Sequence, residues 1–189
     1  AITVSWVLLN NGGILVNQNG IRFCDESLGA SELAATVCQQ DGNVWSVIDQ
    51  SLYDGALRFA DFKNLQNLGA IKSGMTAAEL AQACRLPAPA LEQTLATLKK
   101  SPALTAPYHA IKVTGALLQT QGGLAIDSDA RVKRPDGSTL PNLFAGGGAA
   151  RGISGTDGSG YLSCNGLLSA VTLGRIAGRE AAIQATALP

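Results

Sequence analysis

Apolar positions in the first quarter of the chain fall in short runs, each closed by a cluster of turn-forming residues. Ile2 to Leu9 reads as a β-like run, Asn11-Gly12-Gly13 as a turn and Ile14-Leu15-Val16 as a short strand. Asn17 to Gly20 then turns the chain into Ile21-Arg22-Phe23. Asn and Gly tolerate the backbone conformations of tight connections, so hairpins or strand–loop connections are expected here. Asp25-Glu26-Ser27 precedes a helix-like stretch from Glu32 to Cys38, Val44 to Ile48 reads as a strand, and Gln50 to Leu68 as a poorly punctuated helix. Thr76-Ala77-Ala78-Glu79 is a capping box, with Leu80, Ala83 and Cys84 on one face of the helix it starts. Pro87 and Pro89 close that helix and open the next, Ala90 to Lys99, where Leu91, Leu95 and Leu98 keep helical spacing.

Beyond the linker from Ser101 to Pro107 the pattern changes from mixed and polar to strand- and glycine-rich, which sets an expected domain boundary near residue 104. Tyr108 to Thr114 and Gly115 to Gln121 read as strands, and Gly122-Gly123 as a turn before the strand-like Leu124 to Asp127. Arg131-Val132-Lys133 pairs with Thr139-Leu140 across the tight turn Pro135-Asp136-Gly137. The β-like Leu143-Phe144-Ala145 then breaks into Gly146 to Gly148, and a glycine-rich loop leads to a long apolar helix ending near Ala182. Glycine turns let backbone N–H groups approach a ligand, and the helix beyond offers a partly positive end, a combination suited to an anionic or electron-accepting cofactor. Ala170, Gly174, Gly178 and Ala182 recur every four residues along that helix. Glycine costs ~1 kcal/mol against alanine inside a helix, so this stripe of small residues indicates close packing, either against a sheet or against a ligand.

Composition narrows the picture. Charged residues are only 15% of the 189, against 46% apolar, where ~25% charged is usual for a soluble globular chain. Part of the surface is therefore expected to face a cofactor, a partner domain or another subunit. Net charge is zero, which gives no electrostatic footprint for nucleic acid or an anionic membrane. No run has the ~20 uncharged apolar residues of a membrane span, and no signal peptide is visible. The first residue is Ala1 rather than Met, which fits a processed or cut piece. Cys24, Cys38, Cys84 and Cys164 are widely spaced and His109 is the one histidine, so a zinc cluster is not expected. The cysteines read as reduced thiols of a cytoplasmic protein.

The segments "GGILVNQNGIRFCDES", "YHAIKV", "QTQGGLAID", "DGSTLPNLFAGGG" and "GYLSCNGLLSAVTLGRIAG", in this order, resemble the fumarate reductase and succinate dehydrogenase flavoprotein superfamily. Flavocytochrome-type fumarate reductases and 3-ketosteroid dehydrogenases are similar in pattern. The resemblance implies a mixed α+β (α/β) fold. A capping domain over residues 1–104 would be followed by the C-terminal part of a Rossmann-like FAD-binding domain over residues 105–189. The family's G-x-G-x-x-G fingerprint, which holds the FAD pyrophosphate, has no counterpart here. The implied partner is therefore a missing N-terminal FAD-binding half, without which this chain binds FAD weakly or not at all. By the same resemblance, backbone from Thr120, Gln121, Gly122 and Gly123 lies beside the isoalloxazine, and Gly147 and Gly148 lie near the adenosine end. Asn165, Gly166 and Leu167 stand at a helix start under the flavin. Gly148 takes the place of a glutamate, which removes one cofactor contact.

The fumarate reductase catalytic set is absent. The resemblance puts a proton-donating arginine at the position of Ala30, a carboxylate-clamping histidine at Gln119 and a second carboxylate-gripping arginine at Tyr161. A dicarboxylate requires cationic partners, so fumarate is not the expected substrate. Tyr108, His109, Gln119, Arg151, Asp157 and Tyr161 remain near the implied flavin face, and Tyr161, His109, Gln119 and Arg151 are the catalytic candidates. His109 stands either as a proton partner to hydride transfer at flavin N5 or as a structural hydrogen-bonded histidine. Tyr161 is a pocket-lining candidate, and Arg151 either recognises one carboxylate or is solvated. Glu26 and Arg22 read more readily as an ion pair holding the cap than as chemical groups. Two functions stay open. One is part of an FAD-dependent oxidoreductase acting on a C–C bond of a neutral or monocarboxylate substrate. The other is a non-enzymatic structural or interaction module.

Overall fold

The computed structural model describes residues 7–98, 103–117, 120–155, 160–162 and 164–187, in two compact units, Ala1–Ala116 and Leu117–Pro189. The first unit contains helices α1 (Val7–Asn10), α2 (Ala30–Cys38), α3 (Gln50–Ala56), α4 (Ala60–Asn67), α5 (Ala77–Cys84) and α6 (Ala88–Ala96). Its strands are β1 (Ile14–Val16), β2 (Val44–Asp49), β3 (Ile71–Gly74) and β4 (Tyr108–Val113). They form one antiparallel sheet in the order β1-β2-β4-β3. Every residue of β2 is buried. Its side chains alternate between a cluster holding Trp45 and Val47 against α5 and α6, and clusters holding Val44 and Ile48 on the other face. Two buried faces explain why β2 reads as a continuous apolar run rather than a clean alternation.

The largest difference from the sequence reading concerns β4. It pairs with β2 along its whole length, from Val44–Val113 to Asp49–Tyr108, and with β3 on its other side. Residues 108–113 therefore belong to the first unit, and the compact units divide at Ala116 and Leu117 rather than near residue 104. The composition shift marks where the chain leaves the helices, whereas the boundary lies where hydrogen bonding to β2 ends.

Other elements differ for local reasons. Val7 to Asn10 is a helical turn, not a strand, closed by the Asn11 side-chain amide donating to the Val7 carbonyl at 2.8 Å; Ile2 to Trp6 lie outside the described residues. The expected helix Gln50–Leu68 is two helices interrupted at Leu57–Phe59, the first capped by Asp49 Oδ1 accepting from the Leu52 N–H at 3.0 Å. β3 carries no alternating signal, with burial confined to its last residue, Gly74. The capping box forms as read: Thr76 Oγ1 accepts from the Glu79 N–H at 3.1 Å, and Glu79 reaches back to the Met75 N–H at 2.8 Å.

The Arg22–Glu26 pair ties the β1 edge together. Glu26 is 0% exposed and Arg22 33% exposed. Arg22 Nε and Nη2 both donate to the carboxylate, Nη2 at 2.7 Å, while the Leu15 N–H donates to Glu26 Oε1 at 3.0 Å. This bonding holds the guanidinium above its ordinary pKa, with Glu26 the main cause. The ion pair read from the sequence forms.

The second unit contains the hairpin β5 (Arg131–Lys133) and β6 (Thr139–Phe144), a 3-10 turn at Gly147–Ala149 and the 23-residue helix α7 (Asn165–Ala187). β5 and β6 pair as expected at Lys133–Thr139, with an irregularity before Arg131–Phe144. Asp136, at the turn, accepts from the Ser138 N–H and hydroxyl, which lowers its carboxyl pKa. The strand expected over 115–121 has no ladder among its described residues, with Leu118 and Gln119 outside them, and that expected over 124–127 reduces to the single bridges Leu124–Ala150, parallel, and Ile126–Val132, antiparallel. A core of Val132, Ala145 and Ala150 meets Leu173 of α7. No helix among the described residues is long and apolar enough to cross a membrane.

Removing the guanidinium takes a bonded cation away from a carboxylate that is wholly buried. Arg22→Ala is therefore expected to cost about 3–5 kcal/mol. Glu26→Ala, which leaves a part-exposed guanidinium and one buried N–H, is expected to cost about 1–3 kcal/mol. Urea denaturation of both variants checks the order; equal losses would overturn it.

Candidate functional site

The candidate residues divide between the two units. In the second unit the site is built at the start of α7. Asn165 is only 2% exposed. Its amide nitrogen donates to Gln121 Oε1 at 3.0 Å and to Ser154 Oγ at 2.8 Å. Ser154 Oγ also accepts from the Leu162 N–H at 3.3 Å, and the Gly152 N–H donates to the Gln121 carbonyl at 2.9 Å. The structure thus gathers three separate segments: the turn at 120–122, the loop at 152–155 and the first residue of α7. Gln121 and Asn165 were expected as cofactor contacts; Ser154, the second acceptor of the Asn165 amide, was not. Nothing in the spacing of a serine within a glycine loop distinguishes it from a turn residue.

Asn165 Oδ1 is buried and has no hydrogen-bond partner among the described residues. A buried acceptor without a donor costs roughly 1–3 kcal/mol, and it sits where a helix presents its unpaired first-turn N–H groups and partly positive end. Gly166 and Leu167 follow it and are exposed, Leu167 at 77%. Thr120 and Gly122 are exposed beside Gln121, and a side chain built on Gly122 would meet nothing within 4 Å. An open backbone edge, a helix N-terminus and a buried acceptor fit a large polar ring carrying both N–H donors and partial negative charge, and so fit a flavin.

Gly147 and Gly148 occupy the 3-10 turn that packs on α7 further along. A Cβ on Gly146 would sit 3.1 Å from the Gly174 nitrogen, and one on Gly147 3.3 Å from the Ala170 Cβ. Gly148 is exposed with open space beside it. Residues 165 and 170–174 are separated by roughly 8–14 Å at 1.5 Å per residue, so the two groups of cofactor candidates are strung along one helix. The close approach is made by Gly146 and Gly147 and not by the glycines of the helix stripe, because a side chain on Gly174 or on Gly178 would meet nothing within 4 Å.

Arg151 is exposed, its N–H donating to the Leu124 carbonyl at 2.9 Å beside Gly123, where a Cβ would come within 2.5 Å of the Ala150 carbonyl carbon. Tyr161 is half-buried, between the Gly160 turn and α7. Gln119 and Asp157 lie outside the described residues.

In the first unit His109 of β4 is 7% exposed and both ring nitrogens are engaged. Gln50 donates from its amide to Asp54 Oδ1 at 2.7 Å, which turns its carbonyl oxygen toward His109 Nε2 at 2.9 Å. Nε2 therefore carries the proton, and Nδ1 accepts from the Ser73 hydroxyl at 2.8 Å. Tyr53 stacks on the ring at a centroid distance of 4.3 Å. This neutral, fully bonded imidazole has the geometry of a structural histidine tying β3, β4 and α3 together.

Burial holds the His109 pKa below 6.5, against the opposing influence of Asp54 and Asp49. The unfolded chain gains a proton near pH 6.5 that the folded unit resists, so stability falls as pH drops through that value and levels off below the folded pKa. Thermal melts between about pH 7.5 and 5 are expected to show a falling Tm that His109→Gln flattens; parallel profiles would refute it.

The chain matches the FAD binding domain family over residues 4–167. A solved flavocytochrome c3 fumarate reductase in its open conformation superposes with a TM-score of 0.70 at 26% identity, over 96% of this chain and 34% of that one. The 3-ketosteroid-Δ4-(5α)-dehydrogenase of Rhodococcus jostii RHA1, in complex with 4-androstene-3,17-dione, superposes with a TM-score of 0.61 at 26% identity, over 94% of this chain and 39% of that one. The 4-oxocyclohex-2-ene-1-carboxylate 5-dehydrogenase of Sinomonas cyclohexanicum is 41% identical over 81 residues, 43% of this chain and 13% of its own. The chain spans about a third of the length of the curated fumarate reductases it matches. It belongs to the FAD-binding flavoprotein family that includes the fumarate reductases and 3-ketosteroid dehydrogenases.

Proposed function

We propose that the chain is the capping domain and C-terminal FAD-domain segment of an FAD-dependent oxidoreductase. The substrate bond is a C–C bond of a neutral or monocarboxylate compound. The observation that carries this reading is the Gln121–Ser154–Asn165 cluster at the start of α7, with its buried acceptor that has no partner among the described residues. When bound, FAD supplies a ring nitrogen that accepts or donates hydride. Asn165, Gly166 and Leu167, with the backbone of Thr120, Gln121 and Gly122, hold its ring end, and Gly147 and Gly148 flank the end further along α7. The positive end of α7 stabilises negative charge on the ring by ~0.3–2 kcal/mol. Exposed Leu162, Leu167, Leu168 and Val171 beside this cluster form an apolar surface for the N-terminal FAD-binding half, without which cofactor affinity is low.

The substrate class rests on neutral side chains at the positions where the resemblance expects cations. Ala30, at the first turn of α2, has only a methyl group, and Tyr161 has a hydroxyl. Arg151 is then a cation for one carboxylate, not two. Two of the relatives have names of this class, one a cyclic enone monocarboxylate and one bound to a neutral steroid dione. Tyr161 Oη exchanges a proton with the carbon adjacent to the one that exchanges hydride. His109, with both nitrogens held, positions the cap sheet rather than moving that proton.

In the complete protein, Asn165→Ala is expected to weaken FAD binding about tenfold, equivalent to one lost hydrogen-bonding site. Flavin absorbance after ultrafiltration measures it. A complete protein that holds no flavin when supplied with excess FAD would sink the enzyme reading. Tyr161→Phe should slow flavin reduction by substrate about 10²-fold or more while leaving flavin content unchanged; an unaltered rate removes Tyr161 from the chemistry.

A further inference from the structure

A cavity of about 430 Å³ opens in the first unit over the end of the sheet where α5 stops. Its walls bring together Lys72 of β3, Lys112 of β4 and Arg85, with the Trp45 indole of β2. The register explains the convergence: Trp45 is opposite Lys112, and Lys72 is opposite Ala110, two residues from Lys112 on the same strand face. No carboxylate lines the cavity. Arg22, Arg131 and Arg179 all pair with acidic groups, whereas Lys72, Arg85 and Lys112 form no ion pair among the described residues. Three uncompensated cations around one concave space concentrate positive potential there.

Two further observations point to a ligand. Trp45 is 6% exposed and its indole N–H is buried with no hydrogen-bond partner among the described residues. Arg85 takes a left-handed conformation, φ 58° and ψ 44°, to end α5. Its N–H donates to the Gln82 carbonyl at 3.2 Å and the Leu86 N–H to that of Ala81 at 2.8 Å, the arrangement in which glycine is the usual residue. The helix end is thus closed by backbone alone and does not require the lysines as a cap. A strained arginine stands where glycine would relieve the strain, with its side chain on the cavity, as backbone strain at functional positions does. Cys84 adds no negative charge, because burial pushes its thiol pKa up to about 11.

We propose that this cavity binds a compact phosphate-bearing small molecule. Two lysines, compact charges on flexible stems, can approach a tetrahedral oxyanion from different sides, and the Arg85 fork matches phosphate oxygens as well. The volume lies at the small end of ligand pockets, ~300–1,000 Å³. Gln18 and Asn43 on the rim supply amide donors.

Isothermal titration of the 189-residue protein with inorganic pyrophosphate at fixed ionic strength tests the assignment. Saturable one-to-one binding is expected, weakened about tenfold or more in the Lys72→Ala/Lys112→Ala double variant and retained in Lys72→Arg/Lys112→Arg. Arg85→Gly is expected to weaken binding while leaving Tm unchanged or raised, a combination that a purely structural residue does not give. Absence of saturable heat, binding indifferent to the alanine pair in a variant with native circular dichroism, or equally tight binding of succinate would each overturn the proposal.

Discussion

Everything at the start of α7 depends on how closely its backbone approaches the turn after β6. Gly146 meets the Leu173–Gly174 backbone at a distance where even a methyl group would force the neighbours to shift, with a Cβ only 3.1 Å from the Gly174 nitrogen. That contact fixes the height and direction of α7, and eight to nine residues earlier on the same rigid rod it fixes Asn165. Arg131, reaching Glu180 at 3.9 Å and Asp129 at 3.2 Å, holds the far half of the helix to β5. With α7 fixed at both points, Gln121 and Ser154 can bond one asparagine amide from two different loops. The precision of the site comes from the helix and is transmitted to the loops, in line with the general advantage of sites placed on rigid elements.

This explains which parts were legible in the sequence. The glycines at 146–147, which approach α7 closely, and the hairpin turn at 135–137 are local patterns with local causes and form as their residues suggest, whereas the helical Gly174 and Gly178 face open space and their spacing misled. Ser154 was not legible because its importance depends on a hydrogen bond eleven residues away, to a side chain that only the fold brings near. The same holds for His109. A lone histidine in a strand reads equally as base or as scaffold, and only Gln50 and Ser73, 59 and 36 residues distant, show both nitrogens engaged.

The compact units divide at Ala116 and Leu117, beyond the composition shift, for a related reason. Composition reports on what a segment is made of, whereas a boundary is where contacts cease. β4 lies beyond a proline-containing linker and resembles the strand-rich remainder, yet six register pairs with β2 hold it in the first sheet. A strand's membership in a sheet is decided by its partners, and an antiparallel partner sixty residues upstream leaves no trace in local hydrophobic pattern. β3 shows the converse: with one buried residue of four, it exists because β4 offers it an edge.

Charge in this chain is scarce, and its distribution carries meaning for that reason. Where a cation closes a structural gap it is bonded tightly, as Arg22 is to a carboxylate wholly removed from water. Among the described residues the β-sheet end at Lys72 and Lys112 has no such partner, and the helix that stops above it uses backbone hydrogen bonds and a strained arginine instead. A fold that compensates one arginine with a buried carboxylate and leaves three cations converging on a cavity has treated the two places differently. Stability accounts for the first. The second is the place where the proposed phosphate-bearing ligand would bring its own negative charge.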